Sequence, residues 1–225
     1  MTSRLSNYDI VVFDCDGVIL DSNTFKTTLF REVLAGHGFP DGDIEAFSAF
    51  QSANFGLSRY RLFQAVLDGR FGAMRDIPLE TLLEDFGRRC RDGYLAQPET
   101  PDLQGALARA AEAGRPLYIV SGSAEEEMRD VLNARGLSRY FTHIYGSPTT
   151  KADNLRRVFA HRAEGGTAIR ERMLFVGDAF ADMQAAEEVG ADFLFMAAFS
   201  TVRPRLEAAA RAGGWDVIED LSELR

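Results

Sequence analysis

The chain has 225 residues, 46% of them hydrophobic and 26% charged, with a formal net charge of -9. This is an ordinary soluble globular composition, enough for one large domain or one domain plus an insertion. The acidity argues against a nucleic-acid partner, because phosphate backbones are held by basic surfaces. A small phosphorylated ligand needs only a few local cations and stays open. Two cysteines far apart, Cys15 and Cys90, make no disulfide framework and fit a reducing cytosol. The N-terminal residues lack the apolar run of a signal peptide, and no apolar stretch approaches a membrane span. The expected location is the cytoplasm, with no membrane partner and a monomeric or homodimeric state.

The first apolar run, 9–13 (DIVVF), reads as a buried strand. Two carboxylates, Asp14 and Asp16, follow it at once. Like charges that close are unfavourable unless a cation lies between them or one holds a proton. The segment is therefore a metal site, an acid/base site or an acidic turn. From about Asn23 to Pro98 the pattern is helical throughout: TFKTTLFREVLAGHG, IEAFSAFQ, SRYRLFQAVLDG and PLETLLEDFGRRCRDGYLA. That block is too long for a simple crossover and reads as an inserted helical subdomain. The rest alternates. Strands are expected at 116–120, 143–146, 173–177, 192–196 and 215–218, and helices at 103–114, 123–136, 151–163, 179–190 and 203–214. Ser123 is read as a helix cap. Alternation of this kind implies an α/β fold, a Rossmann-like, mostly parallel sheet flanked by helices. The expected domains are a core of 1–21 and 99–225 and an inserted α-helical cap of 22–98.

Ligands of open parallel sheets bind outside the carboxyl ends of the strands. Those ends supply Asp14 and Asp16, then Ser121 and Gly122, then Lys151, then Asp178 and Asp182. Carboxylates, a hydroxyl and an ammonium on one rim suit a hard divalent cation and a bound phosphate.

In order, DCDGV, VSGS, the lysine of SPTTKADN and GDAFAD resemble the four signatures of the haloacid dehalogenase superfamily, over nearly the whole chain. The insertion sits where C1-type caps sit, as in phosphoglycolate phosphatase and β-phosphoglucomutase-like members. The resemblance implies roles. Asp14 would be the nucleophile that forms an aspartyl-phosphate, and Asp16 the general acid and then base. Mg²⁺ would be held by Asp14, the backbone carbonyl of Asp16 and Asp178, with Asp182 in support. Ser121 and Lys151 would hold the phosphoryl oxygens, and the amides of Cys15, Gly17 and Gly122 would add donors, Gly17 allowing close approach to phosphate. Cys15 itself is a packed residue rather than a nucleophile. Dehalogenases lack the second aspartate, and phosphonatase relatives replace it and use a cap lysine as a Schiff base. Lys26, at the very start of the insertion, is discounted for that role. The expected activity is phosphomonoester hydrolysis of a small phosphate ester such as a sugar or polyol phosphate. The run Gly56-Leu57-Ser58-Arg59 is similar to a segment of β-phosphoglucomutase-like members and keeps a mutase as an alternative, beside a catalytically silent scaffold. Asn23, Lys26, Asn54, Ser58 and Arg59 are the expected substrate contacts from the insertion.

Overall fold

The computed structural model describes residues 4–54, 56–164 and 172–224. Residues 1–3, Phe55, residues 165–171 and residue 225, which belong to the expected segment and domain ranges, lie outside them. Six parallel strands form one sheet: β1 (Ile10–Phe13), β2 (Leu117–Ala124), β3 (His143–Ser147), β4 (Met173–Gly177), β5 (Asp192–Met196) and β6 (Asp216–Ile218). Their spatial order is β3-β2-β1-β4-β5-β6. The chain builds outward from β1 on one side and then crosses to β4 on the other. The crevice where this direction reverses lies at the carboxyl ends of β1 and β4, the expected place for a ligand. Strand β1 is buried along its whole length, as the uninterrupted Ile-Val-Val-Phe run demands of a strand covered on both faces.

Five helices pack on the sheet: α5 (Leu103–Glu112), α6 (Glu125–Ala134), α7 (Lys151–Glu164), α8 (Phe180–Val189) and α9 (Arg203–Gly213). Four more lie between β1 and β2: α1 (Asn23–Gly36), α2 (Asp41–Ala53), α3 (Arg59–Leu67) and α4 (Leu79–Leu95). In α4 the buried residues Leu82, Phe86, Cys90 and Tyr94 recur every fourth position, a single apolar stripe. Each of the four helices contributes one phenylalanine to a shared cluster. Phe30 lies 5.8, 5.0 and 4.4 Å from Phe47, Phe63 and Phe86, centroid to centroid. That gives the insertion an apolar centre of its own. Among the described residues no helix is long and apolar enough to cross a membrane.

One boundary differs from the sequence reading in a way that bears on function. Strand β2 does not stop at residue 120. It runs to Ala124, with its register against β3 shifting between Val120 and Ala124. Helix α6 begins at Glu125 behind Ala124. Ser123 is therefore not a helix cap but part of the strand end, and its hydroxyl is free for other work.

Candidate active site

Asp14 directly follows β1 and Asp178 directly follows β4. With Asp182, on the first turn of α8, they form a buried trio whose ligand atoms lie within 4.8 Å of one another. The Lys151 ammonium, from the first residue of α7, is 2.9 Å from Asp14 Oδ2 and also donates to Asp182 Oδ1. The remaining Asp182 oxygen accepts from the Ala179 amide at 3.0 Å. Asp182 thus aims Lys151 and closes the first turn of α8. Asp178 keeps one oxygen open: Oδ2 accepts from Asn23 Nδ2 at 2.6 Å, while Oδ1 is fully buried with no partner. Asn23 Oδ1 is likewise buried and unpartnered.

Three buried acids against one ammonium leave excess negative charge. Burial first, and then Asp182 and Asp14, push the Asp178 carboxyl well above the ordinary range. Burial also pushes Asp182 up, to about 7, with Asp14 adding to the rise and Lys151 opposing it. Burial works against the charged form of Lys151, but Asp14 and Asp182 outweigh it and hold the ammonium charged far above neutral pH. Buried unpartnered oxygens in an acid cluster are what a hard cation with oxygen ligands completes.

Gly17 explains how these groups fit together. Its backbone has φ +76°, and a Cβ there would lie 2.2 Å from Asp178 Oδ2 and 2.4 Å from Asn23 Nδ2. Only glycine meets both demands. The expected close approach is to phosphate; the neighbours Gly17 meets are Asp178 and Asn23, and its amide donates to Leu20 O at 2.7 Å.

Asp16 sits in a second network. Its Oδ1 accepts from Ser22 Oγ at 2.5 Å. Its Oδ2 accepts from Lys26 Nζ and Ser123 Oγ, both at 2.6 Å. Burial alone would raise this carboxyl, but the Lys26 charge and the bonds from Lys26, Ser123 and Ser22 pull it down to about 2. Cys15, between the two aspartates, is fully buried and accepts from Tyr94 Oη at 3.0 Å. Burial pushes its thiol far up, so it packs and does not react.

Asp14, Asp16, Ser121, Gly122 and Lys151 line a half-open cavity of about 60 Å³, whose other wall is Lys26, Phe30, Gln51, Asn54, Leu57, Arg59, Leu62 and Phe86 from the insertion. That volume holds a few waters, on the order of 10–15 Å³ each by this measure. The expected substrate contacts divide. Lys26, Asn54 and Arg59 face the cavity, although Arg59 is paired with Glu127 of α6 at 2.7 Å, both side chains buried, and Asn54 also donates to Phe50 O at 2.8 Å. Asn23 faces Asp178 instead. Ser58 lines an adjoining open cleft that shares Gly56, Leu57, Gly122 and Lys151 with the cavity. Gly122 meets the insertion directly: a Cβ on it would lie 2.8 Å from Gly56 O.

Sequence reasoning missed Ser22, Ser123, Gln51 and Glu127. The signal for Ser123 was its place two residues after Ser121 at a strand end, masked by a plausible capping role. Gln51 offers an unpartnered buried Oε1 in the cavity wall; nothing in its helical pattern distinguishes it from an ordinary face residue.

A sequence model of the haloacid dehalogenase-like hydrolases matches residues 8–190. Phosphoglycolate phosphatase of Pseudomonas syringae pv. syringae is 26% identical over 184 residues, 80% of this chain and 66% of that protein. Tyrosine-protein kinase PtkA of Mycobacterium tuberculosis is 25% identical over 186 residues, 81% of this chain and 60% of that protein. The chain thus spans just under two thirds of the length of these curated relatives. Among solved structures, a CbbY variant from Rhodobacter sphaeroides in complex with xylulose-(1,5)bisphosphate superposes with a TM-score of 0.74 at 16% identity, covering 96% of each chain. The family match takes in most of the chain, and the fold places its acids where the sheet order reverses: this protein belongs to the haloacid dehalogenase-like hydrolases.

Proposed function

We propose that the protein is a Mg²⁺-dependent phosphomonoester hydrolase acting on a small phosphorylated metabolite, of the size of a sugar or polyol phosphate. The observation that carries this is Asp14 beside Lys151 in the cavity between insertion and core, with the open oxygen of Asp178 at the same rim. Asp14 attacks phosphorus, the bond to the leaving oxygen breaks with its electron pair, and an aspartyl-phosphate forms on Asp14. Without substrate Asp16 is ionised; a monoanionic ester brings the proton that Asp16 takes up and passes to the leaving oxygen. In the second half its carboxylate takes a proton from the attacking water and releases it to solvent. Ser121, Lys151 and the Gly122 amide hold the phosphoryl oxygens. Asp14, Asp178 and the Asp16 carbonyl would hold Mg²⁺, with Asp182 and Asn23 fixing the surroundings. When bound, the cation neutralises phosphoryl charge and polarises the P–O bonds.

In this reading, residues 22–98 are a cap domain over the core of 1–21 and 99–225. Closure over the rim excludes bulk water and selects small substrates. Arg59 does not favour the mutase alternative: its guanidinium is committed to Glu127 rather than open to a second phosphate. The intact acid, lysine and hydroxyl set speaks against a silent scaffold.

The test is Mg²⁺-dependent phosphate release from p-nitrophenyl phosphate and a panel of sugar and polyol phosphates, with the phosphoenzyme sought by mass spectrometry after rapid quench. We expect release and a phosphoryl adduct on Asp14. No turnover on any ester, with no Mg²⁺ binding, would sink the reading; conversion of a sugar 1-phosphate to its 6-phosphate would replace it by the mutase.

The raised carboxyls give a second check. Free carboxyls titrate near 4, while Asp182 titrates near 7 and Asp178 is also raised. Between about pH 4 and 7 the folded state holds more protons than the unfolded one, so metal-free stability falls as pH rises through that window. Mg²⁺ must displace those protons. Its stabilisation in a thermal melt is expected to be clearly larger at pH 8 than at pH 5. Equal shifts at both would count against the trio as the metal site.

A further inference from the structure

The chain's only two lysines are Lys26 and Lys151; every other one of its 25 Lys and Arg residues is arginine. Both lysines are buried, and both line the same cavity. Lys151 faces the phosphoryl end. Lys26 projects from the first turn of α1 to the opposite side of Asp16. Its ammonium donates to Asp16 Oδ2 at 2.6 Å and to Ser123 Oγ at 2.5 Å, and lies 4.0 Å from the Tyr94 ring centroid. An ammonium is a compact charge with three rotatable donors, where a guanidinium is a rigid planar fork. Two of those three N–H groups have acceptors in Asp16 and Ser123.

We propose that Lys26 is the leaving-group residue of this enzyme, holding Asp16 in place and offering its third N–H to the oxygen that departs from phosphorus. The inference rests on the phosphomonoesterase reading and adds a group to it. In the step itself the P–O bond breaks, its electron pair stays on the leaving oxygen, and that oxygen takes, through Asp16, the proton that the monoanionic ester brought in. Lys26 keeps its own protons and stabilises the developing negative charge through a preorganised, buried donor. Ser123 completes the brace, because its hydroxyl accepts from Lys26 while donating to Asp16. The site thereby divides into a phosphoryl half built on Lys151 and a leaving-group half built on Lys26. The first turn of α1 then works with the core, although it opens the insertion: Asn23 and Lys26, three residues apart, share one helix face.

The consequence is a leaving-group dependence. A poor leaving group, such as an alkyl alkoxide, needs Lys26; the resonance-stabilised p-nitrophenolate needs it little. Lys26→Met is expected to lower kcat/KM for glycerol phosphate about 100-fold, and for p-nitrophenyl phosphate less than about 5-fold. A residue that only supports the fold would cost both esters the same factor, and that result, or no loss on either, overturns the proposal. Should Lys26→Met fail to fold, Ser123→Ala is read on the same two esters. A loss confined to the alkyl ester supports the brace, and an equal loss overturns it. If the wild-type protein itself hydrolyses neither ester, the parent reading falls, an outcome separable from any effect of the variants.

Discussion

Asp14→Asn is expected to abolish phosphate release, by about 10⁴-fold or more, while leaving the protein folded. The amide keeps the size of the carboxylate and removes the attacking oxygen. No other described carboxylate is positioned to replace it: Asp16 is pinned by Ser22, Lys26 and Ser123, and both oxygens of Asp182 are engaged. The charge balance makes a second statement. Asp14 helps push Asp178 and Asp182 up, so its neutralisation relieves repulsion in the trio, while Lys151 keeps Asp182 as a partner. The metal-free melting temperature of the variant should therefore equal or exceed that of the wild type, a loss of function with no loss of stability. The two measurements are phosphate release and a thermal melt with chelator present. A variant retaining a tenth of the activity would remove Asp14 from the nucleophile's role.

Lys151→Met is expected to fail in both respects. Its ammonium is the counter-charge in direct contact with Asp14 and Asp182, and removing one partner of a buried ion pair costs about 3–5 kcal/mol. The metal-free variant should melt well below the wild type. Protonation of the acids softens the loss at low pH, so the deficit should grow as pH rises toward 8, in the direction set by the raised carboxyls. Added Mg²⁺ should recover part of the stability, because it supplies positive charge to the same trio. The rate should stay depressed by about 10³-fold, because a donor to the transferring phosphoryl group is gone. Full recovery of rate by Mg²⁺ would show that Lys151 is a charge balancer only. Asp14→Asn and Lys151→Met together thus separate chemistry from electrostatics at one contact of 2.9 Å.

Most of the architecture was legible in the order of residues along the chain. The strands were visible as short apolar runs, because a sheet covered on both faces needs uninterrupted burial. The insertion was visible as a helical block of wrong length for a crossover. Asp14, Asp16, Ser121, Lys151, Asp178 and Asp182 were visible as well, because a parallel sheet brings the ends of its strands to one rim whatever happens elsewhere. That inference needs only the positions of strand ends, which are local facts.

What the chain order could not decide is which partner each side chain takes. Asn23 reads as an insertion residue, yet packing turns it to Asp178. Arg59 reads as an open cation, yet α6 presents Glu127 to it. Ser123 reads as a cap, yet the longer strand β2 delivers it to Asp16. Lys26 reads as a substrate contact from the insertion, and packing buries it between Asp16, Ser123 and Tyr94. Each pairing joins residues separated by at least ten positions in the chain. Local propensity carries no information about such distances, whereas burial makes every polar group choose a partner. The rim of acids and Lys151 is therefore written in strand ends, and the contact of Lys26 with Asp16 and Ser123 only in the packing of insertion and core.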